Sequence, residues 1–334
     1  MTAAPPMTPT KPSLRPVPPS LPEPAGRLRK LTFPALGTTC EVQYAAPEGD
    51  AQASAFAGAA IAWVQAFEAK YSRFKPSSLV SRIAAAAGRD WVEVDADAEQ
   101  LLDLCDTLYR MTRGVLDPTA LPLIRLWNWK AEHPVIPGDP EIAAARRLVG
   151  WTKVQRQPGK ILLPEPGMAL DFGGFGKEYA VDIVAQIAAD HGLADVLVDF
   201  GHDLRVLGTA PGRPAWHIGL EDPRRPGTTW ASVALSGSRG IASSGDYLRC
   251  FRLNGRRYGH IIDPRTGWPA ASGCTQTTII AATCLQAGVL STTAFVLGAQ
   301  EGLEFIQACP GAEGMLLTET ARAQSRGFHH YVVS

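Results

Sequence analysis

The chain has 334 residues, 46% hydrophobic and 19% charged, which is enough to bury a substantial core and too apolar for global disorder. Thirty-two basic residues balance 32 acidic ones, so the basic excess of a nucleic-acid binder is missing. The six cysteines (Cys40, Cys105, Cys250, Cys274, Cys284, Cys309) form no Cys-x-x-Cys pair and read as free thiols of a reducing compartment, not as a disulfide frame or zinc site. No apolar run reaches 18 residues, so no transmembrane helix is expected.

Nine prolines fall in the first 24 residues, with no apolar block of signal-peptide length. Residues 1–27 are therefore expected to be a disordered, partly polyproline tail before a single cytoplasmic domain, 28–334. From Leu31 to Tyr44 the pattern predicts two short strands bent at Pro34 and Gly37. An alanine-rich helix is expected over 51–71, burying Ile61, Val64, Phe67 and Ala69. Residues 71–78 read as a loop, and Asp97 with Gln100 can cap a helix that runs to about Thr112. Gly114 to Thr119 is a turn, and Asp139-Pro140 to Gly150 carries helix punctuation at both ends.

The stretch Asp171-Phe-Gly-Gly-Phe-Gly-Lys-Glu-Tyr-Ala-Val-Asp182 predicts a strand ending at Asp171, a glycine turn, and a helix closing at Gly192. Glycine amides at a helix start, with Lys177 beside them, suit a phosphate or pyrophosphate; an ordinary strand-to-helix turn fits the same local pattern. The stretch is neither the P-loop nor the dinucleotide fingerprint. Further strands are expected at 196–200, 216–220, 232–235, 248–253, 277–281, 315–318 and 331–333, with helices at 285–297 and 301–308. Strands that follow one another directly imply an α+β fold, a single domain of antiparallel sheets with helices packed on them.

Four separated segments together carry a resemblance: Phe33-Pro-Ala-Leu-Gly-Thr-Thr39, Asp171 to Asp182, Ala242-Ser-Ser-Gly-Asp-Tyr247 and His260-Ile-Ile-Asp-Pro-Arg-Thr-Gly267. In this order and spacing they resemble the ApbE family of FAD:protein FMN transferases. The resemblance implies FAD as substrate, Mg²⁺ as cofactor, and an acceptor flavoprotein whose Thr or Ser hydroxyl receives FMN by a phosphoester while AMP leaves. His260 is then the catalytic base, suited by an ordinary imidazole pKa near 6.5, with Asp263 orienting it or fixing the turn at Pro264. Lys177 supplies positive potential at the diphosphate. Flavin-nucleotide contacts carry over to Leu36, Phe74, Asp117, Gly174, Gly176, Asp182, Ser244 and Gly245. Metal contacts carry over to the Gly176 carbonyl and Thr292.

One departure stands out. The family's last long helix usually reads Ala-Asp-Ala-Leu-Ala/Ser-Thr, whereas this chain has Ala287-Gly-Val-Leu-Ser-Thr292, with Gly288 where the metal-binding carboxylate is expected. Mg²⁺ commonly takes one or two carboxylates. Either water and phosphate complete the site, or a nearby acid such as Asp171, Asp203 or Asp246 enters, or the chain binds FAD without chemistry as a carrier or maturation factor. An FAD pyrophosphatase that uses water as acceptor is a further alternative. Glu178, where the family often has glycine, reads as a milder change. His202 replaces the middle glycine of the family's Gly-Gly-Asp.

Overall fold

The computed structural model describes residues 27–333. The proline-rich stretch expected as a tail lies outside them, except Arg27, which opens the first strand.

An eight-stranded sheet organises the molecule. Its strands are β1 (Arg27–Ala35), β2 (Thr38–Ala46), β3 (Val196–Phe200), β4 (Asp203–Leu207), β7 (Arg239–Gly245), β8 (Cys274–Ala281), β9 (Glu313–Thr318) and β10 (Arg322–Gln324), in that spatial order. Every neighbouring pair is antiparallel. Between β4 and β7 the chain makes β5 (Trp216–Glu221) and β6 (Thr229–Leu235), which with β11 (Val332–Val333) form a second, three-stranded sheet. Two further short antiparallel hairpins lie at 250–259 and 262–269. The expected α+β architecture is what the chain adopts.

Among the described residues, eight α-helices accompany the sheets: α1 (Ala51–Tyr71), α2 (Leu79–Ala86), α3 (Ala96–Met111), α4 (Leu121–Leu126), α5 (Asp139–Arg147), α6 (Gly176–Asp190), α7 (Cys284–Leu297) and α8 (Ala299–Gln307). Strand β8 is buried at every residue because both faces are covered. Its alternate side chains divide accordingly: Ile279 packs with Leu290, Ala294 and Ile306 of α7 and α8, and Ile280 packs with Trp216, Val233 and Phe328 on the small-sheet side. At the other end α1 and α6 cover β1–β3 through Phe56, Val64, Val181 and Val184.

Several expectations need correction. The buried stripe of α1 is Ala53, Phe56, Ala60, Val64 and Phe67, at three- and four-residue spacing; Ala69 is exposed and Ile61 only half-buried. Helix α3 is capped by Asp95, which accepts from the Ala98 amide, not by Asp97. The apolar run before the glycines is not a strand: it is irregular chain tied to the Gly114–Thr119 turn, with the Asp171 N–H donating to Pro118 O. Strands β4 and β7 and helix α2 were not anticipated.

Two hairpin turns aim the chain at the site. Leu36-Gly37 and Gly201-His202 each link paired strands with two residues at positive φ (54° and 71°; 63° and 71°), the twist-matched turn that normally selects glycine or asparagine. Leu36 and His202 are therefore strained, and the His202 N–H is held by Asp199 Oδ1 at 2.8 Å. A middle glycine in the Gly-Gly-Asp pattern has its physical reason here.

Candidate active site

A cleft of ≈ 1200 Å³ opens where both strained turns, the loop after α1, the glycine segment and the end of β7 converge. Most of the residues singled out from the sequence line it. Leu36 and Phe74 lie on its rim with Asp117, and Gly174, Gly176 and Lys177 border it from the α6 side. Ser244, Gly245, His260 and Thr292 face them. Residues distant in sequence are thus gathered by the sheet order.

Phe74 is 80% exposed, and the Arg73 guanidinium stands 4.6 Å from its ring centre. Its ring is open to solvent at the edge of the cleft. Leu36 is pinned by its amide, which donates to Glu68 Oε1 at 2.8 Å. Glu68 is in turn tied to Lys75 at 2.8 Å, so turn and helix hold the leucine in its costly conformation.

The glycine segment differs from an open anion cradle. The Gly176 N–H donates to Phe172 O and the Gly173 N–H to Asp171 Oδ1, so these two donors are already used. Lys177 is not a free cation either: it donates to Phe200 O at 3.0 Å and to the Asp203 carboxylate, with Glu178 Oε1 3.7 Å away. Burial alone would lower its pKa, but the carboxylates of Asp203 and Glu178 outweigh burial and hold the ammonium well above its usual range. Other positive charge on the lining comes from Arg73, Lys130 and Arg249.

Three expected site acids are engaged in structure. Asp182 does not line the cleft; it accepts from Arg205 and from the Cys284 and Leu285 amides, clamping the start of α7 to α6. Asp263 is also off the lining and does not orient His260. It grips Arg265 through two charged hydrogen bonds, at 2.9 Å each, and its carbonyl accepts from Gly267, so it fixes the turn after Pro264. Asp117 does border the cleft, yet its carboxylate accepts from Thr119 and the Trp151 amide.

His260 hangs in the cleft by its backbone, its N–H donating to Arg249 O at 2.9 Å, with the Trp129 ring 6.2 Å away. Its Nδ1 is buried with no partner. Burial, and then the charge of Arg249, push the imidazole down to about 4, below the ordinary 6.5 expected from the sequence, so it is neutral at physiological pH and a weaker base than a free imidazole.

Three hydroxyls form a chain: Ser244 Oγ lies 2.8 Å from Ser291 Oγ and 2.9 Å from Thr292 Oγ1. One helical turn before Thr292, Gly288 faces α6. A Cβ there would sit 2.6 Å from Glu178 Cγ and 3.2 Å from its carboxyl carbon. Glu178 therefore occupies the room a side chain at 288 would need. Burial raises its pKa most, Lys177 opposes this, and Asp203 adds to it; the net direction is up.

The ApbE family model matches residues 36–316. This chain belongs to the ApbE family. Among similar ApbE-family proteins, the Haemophilus influenzae FAD:protein FMN transferase is 32% identical over 245 residues, covering 71% of this chain and 70% of its own length. A Vibrio cholerae FAD:protein FMN transferase is 27% identical over 280 residues, covering 83% and 84%. The crystal structure of the ApbE protein of Thermotoga maritima superposes with a TM-score of 0.82 at 29% identity, over 92% of this chain and all of that one. The flavin transferase ApbE from Vibrio cholerae gives 0.81 at 25%, over 91% and 99%.

Within the ApbE frame, sequence reasoning missed Glu178, Arg249, Trp129 and the pairing of Lys177 with Asp203. Glu178 carried a signal, since an acid beside Lys177 replaces a common family glycine. Its link to Gly288 lies across two helices and shows only in three dimensions. Among the described residues no helix is long and apolar enough to cross a membrane, and all six cysteines are free.

Proposed function

We propose that this protein transfers FMN from FAD to a Thr or Ser hydroxyl of a partner flavoprotein, releasing AMP in a Mg²⁺-dependent reaction. The observation that carries the reading is one cleft joining an exposed aromatic ring, a neutral histidine and a wall of oxygen donors. Its ≈ 1200 Å³ exceeds the roughly 300–1,000 Å³ of ordinary small-ligand pockets, as a dinucleotide requires. The names of the relatives support the same chemistry.

In this reading the acceptor hydroxyl oxygen attacks the FMN-side phosphorus of FAD. The bond from that phosphorus to the bridging oxygen breaks, and AMP leaves with the electron pair. His260, neutral above about pH 4, receives the hydroxyl proton. Phe74 and Leu36 hold the flat part of the nucleotide at the mouth. Arg73 and Arg249 offer positive charge to the phosphates, a role Lys177 shares only through its neutralised pair. Asp182 and Asp263 act at a distance, by fixing α7 and the turn after His260.

The donor set suits a hard cation. Among the described residues no group of three or more His, Cys, Asp or Glu is arranged around one point. Mg²⁺ does not need such a group, because it takes one or two carboxylates and completes its shell with phosphate oxygen and water. Thr292 Oγ1, the Gly176 carbonyl and one carboxylate with a buried, unpartnered oxygen, Glu178 Oε2, are the candidates. When bound, the ion supplies positive charge to the diphosphate oxygens.

The free thiols favour a cytoplasmic setting. The test is chromatography of AMP and FMN from FAD, with and without an acceptor flavoprotein. AMP that appears only with acceptor, with no free FMN, supports transfer. Equal AMP and free FMN without acceptor would mean a pyrophosphatase.

A further inference from the structure

We propose that Glu178 is the carboxylate ligand of the metal seat, reaching from α6 into the position that a side chain on residue 288 of α7 would otherwise fill. The inference rests on the Mg²⁺-dependent reading above and assigns that site a ligand on α6, away from the α7 position where the carboxylate was expected.

Four observations converge on it. First, Glu178 is buried, at 8% exposure, and lines the cleft. Second, its Oε2 receives no hydrogen bond from a protein donor, and burial, then the neighbouring Asp203 carboxyl, raise its pKa. Third, its other oxygen is 3.7 Å from Lys177 Nζ, beyond hydrogen-bond reach, and Lys177 is already engaged by Asp203 and Phe200 O. Fourth, the point where a Cβ would stand on Gly288 is 2.6 Å from Glu178 Cγ, so the glycine is what admits the glutamate.

The other acids are less well placed. Asp171 receives the Gly173 amide and faces Arg73 at 3.5 Å. Asp246 also has a buried oxygen without a partner, Oδ1, but it is absent from the cleft lining and its other oxygen accepts from Arg257. Asp203 is bound to Lys177 and takes the Ser243 amide. Gly288 and Thr292 are one turn apart on one face of α7, so a carboxylate delivered beside Gly288 stands on the same wall as the Thr292 hydroxyl. Glycine at 288 and glutamate at 178 are thus two halves of one exchange: the carboxylate has moved from one helix to the helix packed on it.

The test counts Mn²⁺ bound to the full chain with FAD, by loss of the free-ion electron paramagnetic resonance signal. The natural protein, Glu178→Gln and the double variant Glu178→Gly/Gly288→Asp are compared, and flavin fluorescence reports that each still binds FAD. Glu178→Gln, which keeps shape and loses charge, is expected to weaken Mn²⁺ at least roughly tenfold. The double variant is expected to recover most of that loss, because the carboxylate returns from α7. Unchanged Mn²⁺ affinity in Glu178→Gln overturns the assignment, as does a double variant that binds FAD yet recovers nothing. If the natural protein with FAD binds no Mn²⁺, the metal reading itself fails and this inference falls with it.

Discussion

Replacing Gly288 with alanine should reveal whether Glu178 is locked in place, without any ligand present. In a helix interior the change alone is worth about 1 kcal/mol in favour of alanine. Here the new Cβ would lie 2.6 Å from Glu178 Cγ, 3.2 Å from Cδ and 3.4 Å from Cβ. Carbon atoms pack at about 3.5–4.0 Å, so the glutamate must retreat by about 1 Å. Such overpacking typically costs about 1–3 kcal/mol. The expected net effect is a loss of about 1 kcal/mol. In a Glu178→Ala background the obstacle is gone, and the same substitution should stabilise by about 1 kcal/mol. That sign reversal is a coupling of about 2 kcal/mol, within the range of contacting residues. Urea unfolding followed by circular dichroism, on metal-free and flavin-free protein, reads all four variants. If Gly288→Ala stabilises the natural protein by the full helix-propensity gain, Glu178 leaves its site freely and the reasoning is refuted.

Further expectations concern the strained turn, the helix clamp, the rim and the histidine. His202→Gly should stabilise by about 1 kcal/mol in urea unfolding, since a non-glycine residue at φ 71° carries a steric penalty. Asp182→Ala should cost about 2 kcal/mol by the same measure, because it strands Arg205 and two amides at the start of α7. Phe74→Ala should weaken FAD binding by about 1–2 kcal/mol, or about tenfold, in a fluorescence titration, while leaving stability unchanged because the ring is 80% exposed. The depressed His260 pKa of about 4, against 6.5 ordinarily, means the unfolded chain takes that proton first. Stability should therefore fall as pH drops from about 6.5 to about 4, by on the order of 3 kcal/mol in total, and His260→Asn should remove this part of the slope.

What could be read from the sequence followed locality. Strands such as Val196–Phe200 and the helix Gly176–Asp190 declare themselves through runs and periodicity, and the antiparallel α+β layout follows from strands that succeed each other. Strand β7 was hidden because Arg239–Gly245 is short on large apolar residues. It is held by β4 and β8 on either side, so tertiary pairing overrides weak propensity. The identity of most cleft residues was legible because their motifs are contiguous. Their electrostatic state was not: the neutralisation of Lys177 by Asp203 depends on β3–β4 turning at Gly201-His202. Asp182 and Asp263 looked like site acids because they close site motifs, yet both satisfy backbone or arginine donors nearby. The Glu178–Gly288 contact joins distant segments through helix packing, so neither residue alone could announce it.

Intact-mass analysis of an acceptor flavoprotein, after incubation with this protein, FAD and Mg²⁺, tests the central claim most directly. The account predicts an acceptor mass raised by one FMN less water, one AMP released per FMN attached, and no gain when the acceptor Thr or Ser is replaced by valine or alanine. An acceptor of unchanged mass, with FAD intact or converted only to free FMN and AMP, would contradict it.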